Sequence, residues 1–594
     1  MRPARSGGSA RRLGAALACL ASLGCPEPPA PGADGALAAE VLNERGLERL
    51  SRWDFALGPD GARWLAYYAA DGALAVRRPD GSEVDLRPRH RASAPSGLVL
   101  DAGVARADVV WRDKLPDKGL YHASLAAAGG TPELRLVDGE HEPLTRMRVA
   151  RDGDEVFFLW YGEGPGAGGG ADYRYHFRRG GAGGELSATL TVMPGIYPTW
   201  IVGPIHIPVF SYMLHDGRPV IAMRRYDRAQ GRFGELREIA HVAPIGPFLH
   251  AVASGERWLV LWVAHQGRDF KQLLLEGAFS DDAGGHWTRF AFEELRGLDF
   301  SQIDAAADGS GNVLVAVGGA FRFRDRDAKS DVWVLASHDD GDTWSEALSL
   351  RPPAARRAHA DFPSVAFGAA PGVAAIVWED WRDVRANVHA SLTRDGGRSW
   401  SEEPLPIGVP GAHNLVLDYG VKALRAHGER FHLVAARFRG DDLEERDLVG
   451  YTFTPDRLRA LADAVRAPAT GAAEAHLRER VASYWSAVRE ADHEAAYAFL
   501  DPFFRARRPF SSYREARGLI RYHDHRVEAV DLAGRFSTVR VTLEASVPEV
   551  TLGTGETVSR PRERHEIVDR WLFLDGDWFR ESSEDAGALR YTRD

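Results

Sequence analysis

Over residues ~40–455 the chain repeats one pattern: a short apolar stretch, a turn that contains glycine, and then a stronger apolar strand. Two apolar runs around a tight turn are typical of antiparallel hairpins. The pattern occurs eight times, beginning at residues 54, 98, 148, 210, 250, 303, 363 and 421. Each unit has room for four short strands, so the chain is predicted to be mainly β, a propeller of seven or eight blades.

The last of these units has residues for only three strands, at 421–425, 431–437 and 447–453. An unpaired sheet edge is a liability that closed rings avoid. We therefore predict that residues near 38–50 supply the missing fourth strand and close the ring.

The periodicity changes towards the C-terminus. Residues 473–505 carry apolar side chains at helical spacing, among them Leu477, Val481 and Trp485. Strand-like segments follow up to residue 583, and Asp575-Gly576 is a hairpin-turn pair. The pattern predicts a propeller over 38–457, a linker over 458–472 and a small α+β domain over 473–594.

A second repeat lies within the propeller region. It contains a hydroxyl residue, an Asp two positions later, a Gly two further on, and a Trp. The three copies are Ser280, Asp282, Gly284 and Trp287; Ser337, Asp339, Gly341 and Trp344; and Thr393, Asp395, Gly397 and Trp400. The Asp positions are 57 and 56 residues apart, which indicates a repeat architecture.

The chemistry of this box is that of a turn. The Asp can accept backbone N–H groups within the turn, and the hydroxyl does so more weakly. The Gly permits a positive φ, and the Trp buries a large surface between strands. These residues are therefore predicted to be structural.

The boxes resemble the Asp-box (bacterial neuraminidase) repeats of the sialidase superfamily, by motif over residues ~250–405 and by strand pattern over 40–250. Sialidase activity would imply three arginines on the substrate carboxylate, a tyrosine nucleophile with a glutamate, and an aspartate acid/base. The family's first arginine lies in an Arg-Ile-Pro motif, whereas this chain has His206-Ile207-Pro208. No motif assigns the other residues of these types that we considered: Arg224, Arg225, Arg322, Arg324, Tyr226 and Tyr419.

The C-terminal domain, with helices before strands and a closing W-x-F-x-D-G-D-W hairpin, resembles the NTF2-like (SnoaL-like) fold. The resemblance implies a cone with a pocket between helix and sheet, in which some members catalyse and many bind ligands. His523 and His525 lie two positions apart at a strand start, which would place them on one face. A structural or solvated role is the alternative.

The N-terminus has the features of a targeting segment. Residues 1–24 combine four arginines with an apolar run too short to span a bilayer, and Cys25 follows. This resembles a bacterial lipoprotein signal, which implies lipidation of Cys25; an ordinary secretory signal is the alternative. Residues 25–37 are then a Pro/Gly-rich tether, and the protein is expected in the cell envelope, facing the periplasm or the cell surface.

Charge and cysteine content narrow the function classes. Loss of four arginines with the signal would change the net charge from −10 to −14. An acidic body gives no electrostatic basis for nucleic-acid binding. The only cysteines are Cys19 and Cys25, so the body holds no disulfide and no cysteine metal site.

Polar residues near predicted inner strands are candidates for a ligand site at the mouth of the central channel. They are His206, His250, Asp304, His359, Asp361, His413 and Asp418. Converging His and Asp side chains could hold a divalent cation or a polar ligand. An ordinary solvated rim is the alternative, and we predict no cofactor and no defined metal site.

The sequence favours an envelope lipoprotein whose propeller binds a glycan, a peptide or an envelope protein without catalysis. The alternative is an exo-acting, sialidase-like glycoside hydrolase that uses the channel mouth. Converging arginines with a Tyr–Glu pair, or two carboxylates ~5–10 Å apart across a cleft, would favour the enzyme. No oligomeric state follows from the sequence.

Overall fold

The structure is a computed structural model. It describes residues 37, 39–48, 52–87, 97–113, 118–165, 171–181, 184–243, 245–266, 272–322, 325, 328–382, 384–401, 405–407, 414–415, 423–438, 445–462, 471–515, 520–551 and 557–582. Cys25, His413, Asp418, Arg324, Tyr419 and most of the expected tether lie outside the described residues.

The protein is mainly β, and eight antiparallel sheets form the blades of a propeller. The strands β1 (Glu40–Val41) and β2 (Leu47–Glu48) belong to the last blade. Blade 1 consists of β3 (Trp53–Leu57), β4 (Arg63–Tyr68), β5 (Leu74–Arg77) and β6 (Glu83–Arg87). Blade 2 consists of β7 (Leu98–Gly103), β8 (Arg106–Asp113), β9 (Gly119–Ala126) and β10 (Glu133–Asp138).

The next three blades follow in chain order. Blade 3 consists of β11 (Glu142–Asp152), β12 (Glu155–Pro165), β13 (Ala171–Gly180) and β14 (Leu190–Pro194). Blade 4 consists of β15 (Ile196–Trp200), β16 (His206–His215), β17 (Arg218–Asp227), β18 (Arg232–Phe233) and β19 (Arg237–His241). Blade 5 consists of β20 (Ile245–Ser254), β21 (Arg257–Gln266), β22 (Gln272–Ser280) and β23 (Thr288–Ala291).

The last three blades complete the propeller. Blade 6 consists of β24 (Asp299–Ala307), β25 (Val313–Ala320), β26 (Asp331–Ser337) and β27 (Leu348–Ser349). Blade 7 consists of β28 (Ala360–Phe367), β29 (Ala374–Asp380), β30 (Asn387–Thr393) and β31 (Leu405–Pro406). Blade 8 combines β32 (Asn414–Leu415), β33 (Leu424–His427), β34 (Arg430–Phe438) and β35 (Glu445–Phe453) with β1 and β2.

The N-terminal strands close the ring. Glu40 pairs with Gly450 and Leu47 pairs with Arg446, so β1 and β2 form the outer edge of blade 8. Between them, the Asn43 side-chain oxygen accepts the Leu448 N–H at 2.6 Å. The predicted fourth strand is therefore confirmed, and the blade number is eight.

The first strands of neighbouring blades adjoin around the centre, including the pairs β3–β7, β24–β28 and β33–β3. We call the end at which these inner strands begin the mouth face; it also carries the connections between second and third strands. The opposite end is the Asp-box face, which carries the turns between third and fourth strands.

The three boxes form the turns after β22, β26 and β30. In the second box the Asp339 carboxylate accepts the Thr343 N–H at 2.9 Å, and the Ser337 hydroxyl accepts the Gly341 N–H at 2.8 Å. Gly341 has a φ of 98°, which an L side chain rarely adopts. The predicted turn chemistry is confirmed.

A short helix, α1 (Pro455–Ala462), follows β35. Its Leu458 is fully buried in the apolar cluster shared by blades 7 and 8, together with Phe431 and Phe453. The stretch expected to be a linker from residue 458 therefore begins inside a helix that packs on the propeller, because one apolar side chain fixes it there.

The C-terminal unit, residues 471–582, places helices before strands as predicted. The helices are α2 (Gly471–Arg489), α3 (His493–Ala498), α4 (Pro502–Arg507) and α5 (Phe510–Glu515). The antiparallel sheet runs β36 (Arg521–Ala533), β37 (Phe536–Thr551), β38 (Thr557–Leu574) and β39 (Asp577–Arg580).

Helix α2 is fixed to this sheet through a buried carboxylate. Asp569 accepts the Trp485 indole N–H at 2.8 Å and two N–H groups of Arg580. At the hairpin between β38 and β39, Asp575 and Gly576 have φ values of 49° and 88°. Both are positive, as a type I′ turn requires, so the predicted hairpin is confirmed.

Candidate functional site

Side chains on the inner strands join one blade to the next around the axis. Asp54 accepts the Leu100 N–H at 2.9 Å, and Asp101 accepts the Arg151 N–H at 2.6 Å. Between blades 6 and 7, Asp304 accepts the Val365 N–H at 2.9 Å and the Ser364 hydroxyl at 3.1 Å. These carboxylates satisfy backbone donors that the sheet ladders leave unpaired.

Two further contacts extend the same arrangement to blades 7, 8 and 1. The Ser364 hydroxyl accepts the Leu424 N–H at 3.3 Å, and Arg425 donates from Nε to the Phe55 carbonyl at 2.9 Å. Within the described residues, such inner-strand hydrogen bonds therefore cross five of the eight junctions. We call them the inter-blade clamps.

Burial sets the electrostatics of the clamps. Burial raises the pKa of Asp54 to about 6, and the nearby Arg425 guanidinium only partly offsets this rise. Burial likewise raises the pKa of Asp101. Burial makes these carboxyl groups costly to ionise, and the backbone N–H groups that they accept offset only part of this cost, so the clamps join the blades at an electrostatic cost.

Asp304, Asp361 and His359 lie on or just before the inner strands at the junction of blades 6 and 7. Asp304 and Asp361 are 8% and 4% exposed. Asp361 accepts the Ser301 hydroxyl from β24 and the Phe362 N–H at 2.8 Å. His359 Nδ1 accepts the Ser330 N–H at 3.2 Å. Both carboxylates accept hydrogen bonds across the junction.

His206 and His250 do not join this group. His206 begins β16, the second strand of blade 4, and pairs with Asp227 at the Asp-box face. His250 is half-buried within the inner strand β20, opposite Leu261. The expectation that His206 lies at the mouth is therefore wrong. The inner strand of blade 4 is β15, so the β16–β17 hairpin consists of the second and third strands, and His206 lies at the opposite end of the blade.

The arginines considered for a sialidase site are separated as well. Arg224 donates to the Val192 and Gly234 carbonyls, and Arg225 donates to the Ala283 carbonyl inside an Asp box. Tyr226 is 2% exposed in the core between blades 3 and 4. These three residues lie towards the Asp-box face, whereas Arg322 lies at the mouth face, 3.8 Å from Asp299.

The mouth face has a feature that the sequence patterns did not reveal. In blades 3 to 7 the pairing register shifts near the start of each inner strand. Tyr197 and Phe362 take positive φ values of 59° and 52° at two of these bulges. Each precedes a proline, and proline inside a strand marks a bulge or an edge, so the Tyr-Pro and Phe-Pro pairs are the signal that could have found them.

The C-terminal unit contains a cavity of about 400 Å³ on the sheet face that packs against the helices. A small-molecule site typically occupies ~300–1,000 Å³. The lining residues are Ile520, Tyr522, Leu543, Ala545, Ser546, Val547, Arg560, Pro561, His565 and Ile567. Arg560 and His565 have no ion-pair partner among the residues that the structure describes.

His523 and His525 lie in β36 beside this cavity, since each contacts or pairs with a residue that lines it. A register shift falls between Tyr522 and Asp524, so His523 occupies a bulge and pairs through Nε2 with the Ser546 hydroxyl at 2.8 Å. His525 pairs with Leu543 and faces the helices, where burial lowers its pKa. The bulge interrupts the regular alternation on which the expected shared face depends.

The described ranges contain neither a cluster of metal ligands nor a helix suited to span a membrane. No group of three or more His, Cys, Asp or Glu side chains within them is placed to hold a metal ion. None of the helices in these ranges has the length and apolar character needed to cross a membrane.

No family model and no curated protein matches the sequence. Among solved structures, the propeller domain of the Trilobed protease from Pyrococcus furiosus matches at 8% identity and a TM-score of 0.36, covering 59% of this chain and 94% of that chain. The polysaccharide lyase Uly1 matches at 9% and 0.42, covering 70% and 99%. The NanB sialidase from Streptococcus pneumoniae matches at 9% and 0.28, covering 72% and 94%. The propeller assignment rests on the ring of sheets itself.

Asp54→Asn is expected to remove a cost in folding free energy that grows as the pH rises. The carboxyl has a pKa of about 6 in the folded chain against an ordinary 3.8, so between these pH values the folded state holds the proton more tightly. The contribution of the Asp54 carboxyl to the free energy of unfolding therefore falls by about 3 kcal/mol as the pH rises from about 4 to 6. Urea unfolding of both proteins from pH 4 to 7 should show the difference shifting in favour of the variant.

Asp80→Asn is the matched control. A hydrogen bond from Ser82 lowers the pKa of Asp80. The free energy of unfolding of Asp80→Asn should therefore fall, relative to that of the unchanged chain, as the pH rises. A pH-independent difference between Asp54→Asn and the unchanged chain would contradict a buried, clamp-forming Asp54.

Proposed function

We propose that this chain is a lipid-anchored protein of the cell envelope whose propeller binds a glycan, a peptide or a partner protein without cleaving it. The observation that carries the proposal is the engagement of the inner-strand carboxylates in the inter-blade clamps. Most glycosidases need two carboxylates that flank an open substrate site. Asp304 and Asp361 are instead buried acceptors between blades. The anchor at Cys25 and the envelope location rest on the N-terminal sequence.

The mouth face supports such a role better than the Asp-box face. Bulges at the starts of five successive inner strands shape its rim, and bulges commonly redirect side chains at binding sites. Arg322 adds a half-buried cation there, next to Asp299. The Asp-box face is occupied by tight turns with internally satisfied hydrogen bonds.

A glycan array and a panel of fluorogenic glycosides, sialosides included, test this function on the full chain. We expect binding to at least one glycan class, or to a peptide or protein in a parallel pull-down, with no turnover of any glycoside. Arg322→Glu should weaken that binding about tenfold or more by reversing a charge at the rim. Arg232→Glu, in β18 at the opposite face, is the matched control and should change it less than about twofold. Hydrolysis of a glycoside would contradict the proposal.

The cavity of the C-terminal unit favours a second binding function. Its walls are mostly aliphatic or aromatic, while Arg560 and His565 border it without an ion-pair partner among the described residues. An apolar ligand with an anionic group would bury its body against Leu543 and Ile567 and place its charge at Arg560. This unit resembles the NTF2-like fold, whose pockets often hold ligands, and the resemblance supports the same proposal.

A dansylated fatty acid tests the cavity in the full chain, with its methyl ester as the uncharged control. The acid should bind more tightly than the ester, and Arg560→Glu should weaken the acid about tenfold or more. Ala545→Phe should weaken both compounds by filling the cavity. Arg564→Glu, an exposed position on the same strand, should leave binding unchanged. Equal effects of the two arginine changes would contradict a site at Arg560.

A further inference from the structure

The C-terminal unit packs on the mouth face of the propeller. The propeller contributes Ala358 before β28, Trp381, Val384 and Ala386 after β29, and Phe438 at the end of β34. All of these positions belong to the end of blades 7 and 8 at which the inner strands begin. The contact therefore lies on the face for which a ligand site was predicted.

The contact is apolar and closely packed. Val384 and Ala386 of the propeller and Phe503 of α4 are fully buried in one cluster, and Leu572 and Leu574 of β38 are each 1% exposed in it. Fixed interfaces between domains are hydrophobic, whereas mobile ones are small and polar. The apolar composition of this cluster is therefore that of a fixed interface between the C-terminal unit and the propeller.

A latch lies at the edge of the cluster. Arg385 forms two hydrogen bonds with the Asp575 carboxylate, at 3.0 and 3.1 Å, and its guanidinium lies 5.4 Å from the centre of the Phe503 ring. Asp575 forms the tip of the β38–β39 hairpin and its side chain is 63% exposed. The Asp575 carboxylate of this ion pair is thus accessible to solvent, whereas Arg385 and the apolar cluster beside it are buried.

Val384 shows that docking constrains the propeller. It has a φ of 72° and is fully buried beneath the C-terminal unit. A positive φ is a genuine outlier for a β-branched residue, and it persists only where the surroundings over-determine it. Docking supplies part of those surroundings, because Phe503, Leu572 and Leu574 cover the segment.

We propose that the C-terminal unit is a latched cap that closes the blade 7 and blade 8 sector of the mouth, so that a ligand of this sector must displace it. His359 lies next to the cap, since its carbonyl accepts the Trp381 N–H at 2.9 Å. Displacement would break the Arg385–Asp575 ion pair, relax Val384 and expose apolar surface on both units. The proposal holds whether the propeller ligand is a glycan, a peptide or a protein.

The absence of cysteine from the propeller and the C-terminal unit makes thiol labelling a direct test. In the full chain with Cys19→Ser and Cys25→Ser, Ala386→Cys places one thiol under the cap. It should react with a maleimide at least about a hundredfold more slowly than Val568→Cys, an exposed position on β38. Adding Leu574→Asp should speed labelling of residue 386 by about tenfold or more, because it puts a charge into the apolar contact.

Two controls separate undocking from unfolding. Val568→Asp, the same kind of change outside the contact, should leave labelling of residue 386 slow. Ala316→Cys, fully buried in blade 6, should stay protected in every background. Equal native labelling of Ala386→Cys and Val568→Cys would overturn the cap, and so would continued protection of residue 386 in Leu574→Asp.

The latch supplies a second, milder pair of variants should Leu574→Asp also expose residue 316. Arg385→Asp and Asp575→Arg should each speed labelling of residue 386 at least about threefold, and the double reversal should restore protection. Single reversals without effect would then overturn the proposal.

Discussion

The propeller depends on hydrogen bonds in which a side-chain oxygen of one blade accepts a backbone N–H group of the next blade. Asp54, Asp101 and Asp304 do this from inner strands, and Ser364 continues it into blade 8. Inner strands are the part of a blade at which neighbouring sheets are closest, so unpaired N–H groups there need partners. The clamps supply these partners, and β1 and β2 complete blade 8 by pairing with β35.

This use of carboxylates bears directly on function. Acidic residues near a propeller axis suggest chemistry when only the sequence is considered, because catalysis and metal binding both need them. Here burial raises the pKa of Asp54 and Asp101, and their hydrogen bonds are made to backbone groups. In the proposed binding function, recognition falls to the rim, where bulges and Arg322 face the mouth, and to the cavity beside Arg560. The C-terminal unit packs against the blade 7 and blade 8 part of that rim.

The sequence predicted the parts of the structure that local chemistry decides. Each Asp box is a turn whose donors and acceptors lie within a few residues, so its role could be read from the residues alone. The N-terminal closing strand also followed from local patterns, since blade 8 lacked residues for a fourth strand. The Asp575-Gly576 turn is a third example.

The predictions that the structure corrected concern residues whose roles depend on distant partners or on strand register. Asp304 accepts hydrogen bonds from Ser364 and Val365, some sixty residues later in the chain, and no local pattern encodes this pairing. His206 was placed one strand too far inward because the extra strand β15 precedes it. His523 and His525 were separated by a bulge, and the Arg385–Asp575 latch joins residues 190 positions apart.

We infer that the inner-strand carboxylates hold blades together, and the proposed binding function assigns them no part in catalysis. A double-mutant cycle of Asp304→Ala and Ser364→Ala tests it most directly, with the free energy of urea unfolding as the readout and glycan or peptide binding measured alongside. The account predicts a coupling energy of about 1–2 kcal/mol between the two positions and unchanged ligand affinity. A coupling near zero, together with lost binding or lost turnover in Asp304→Ala, would contradict it.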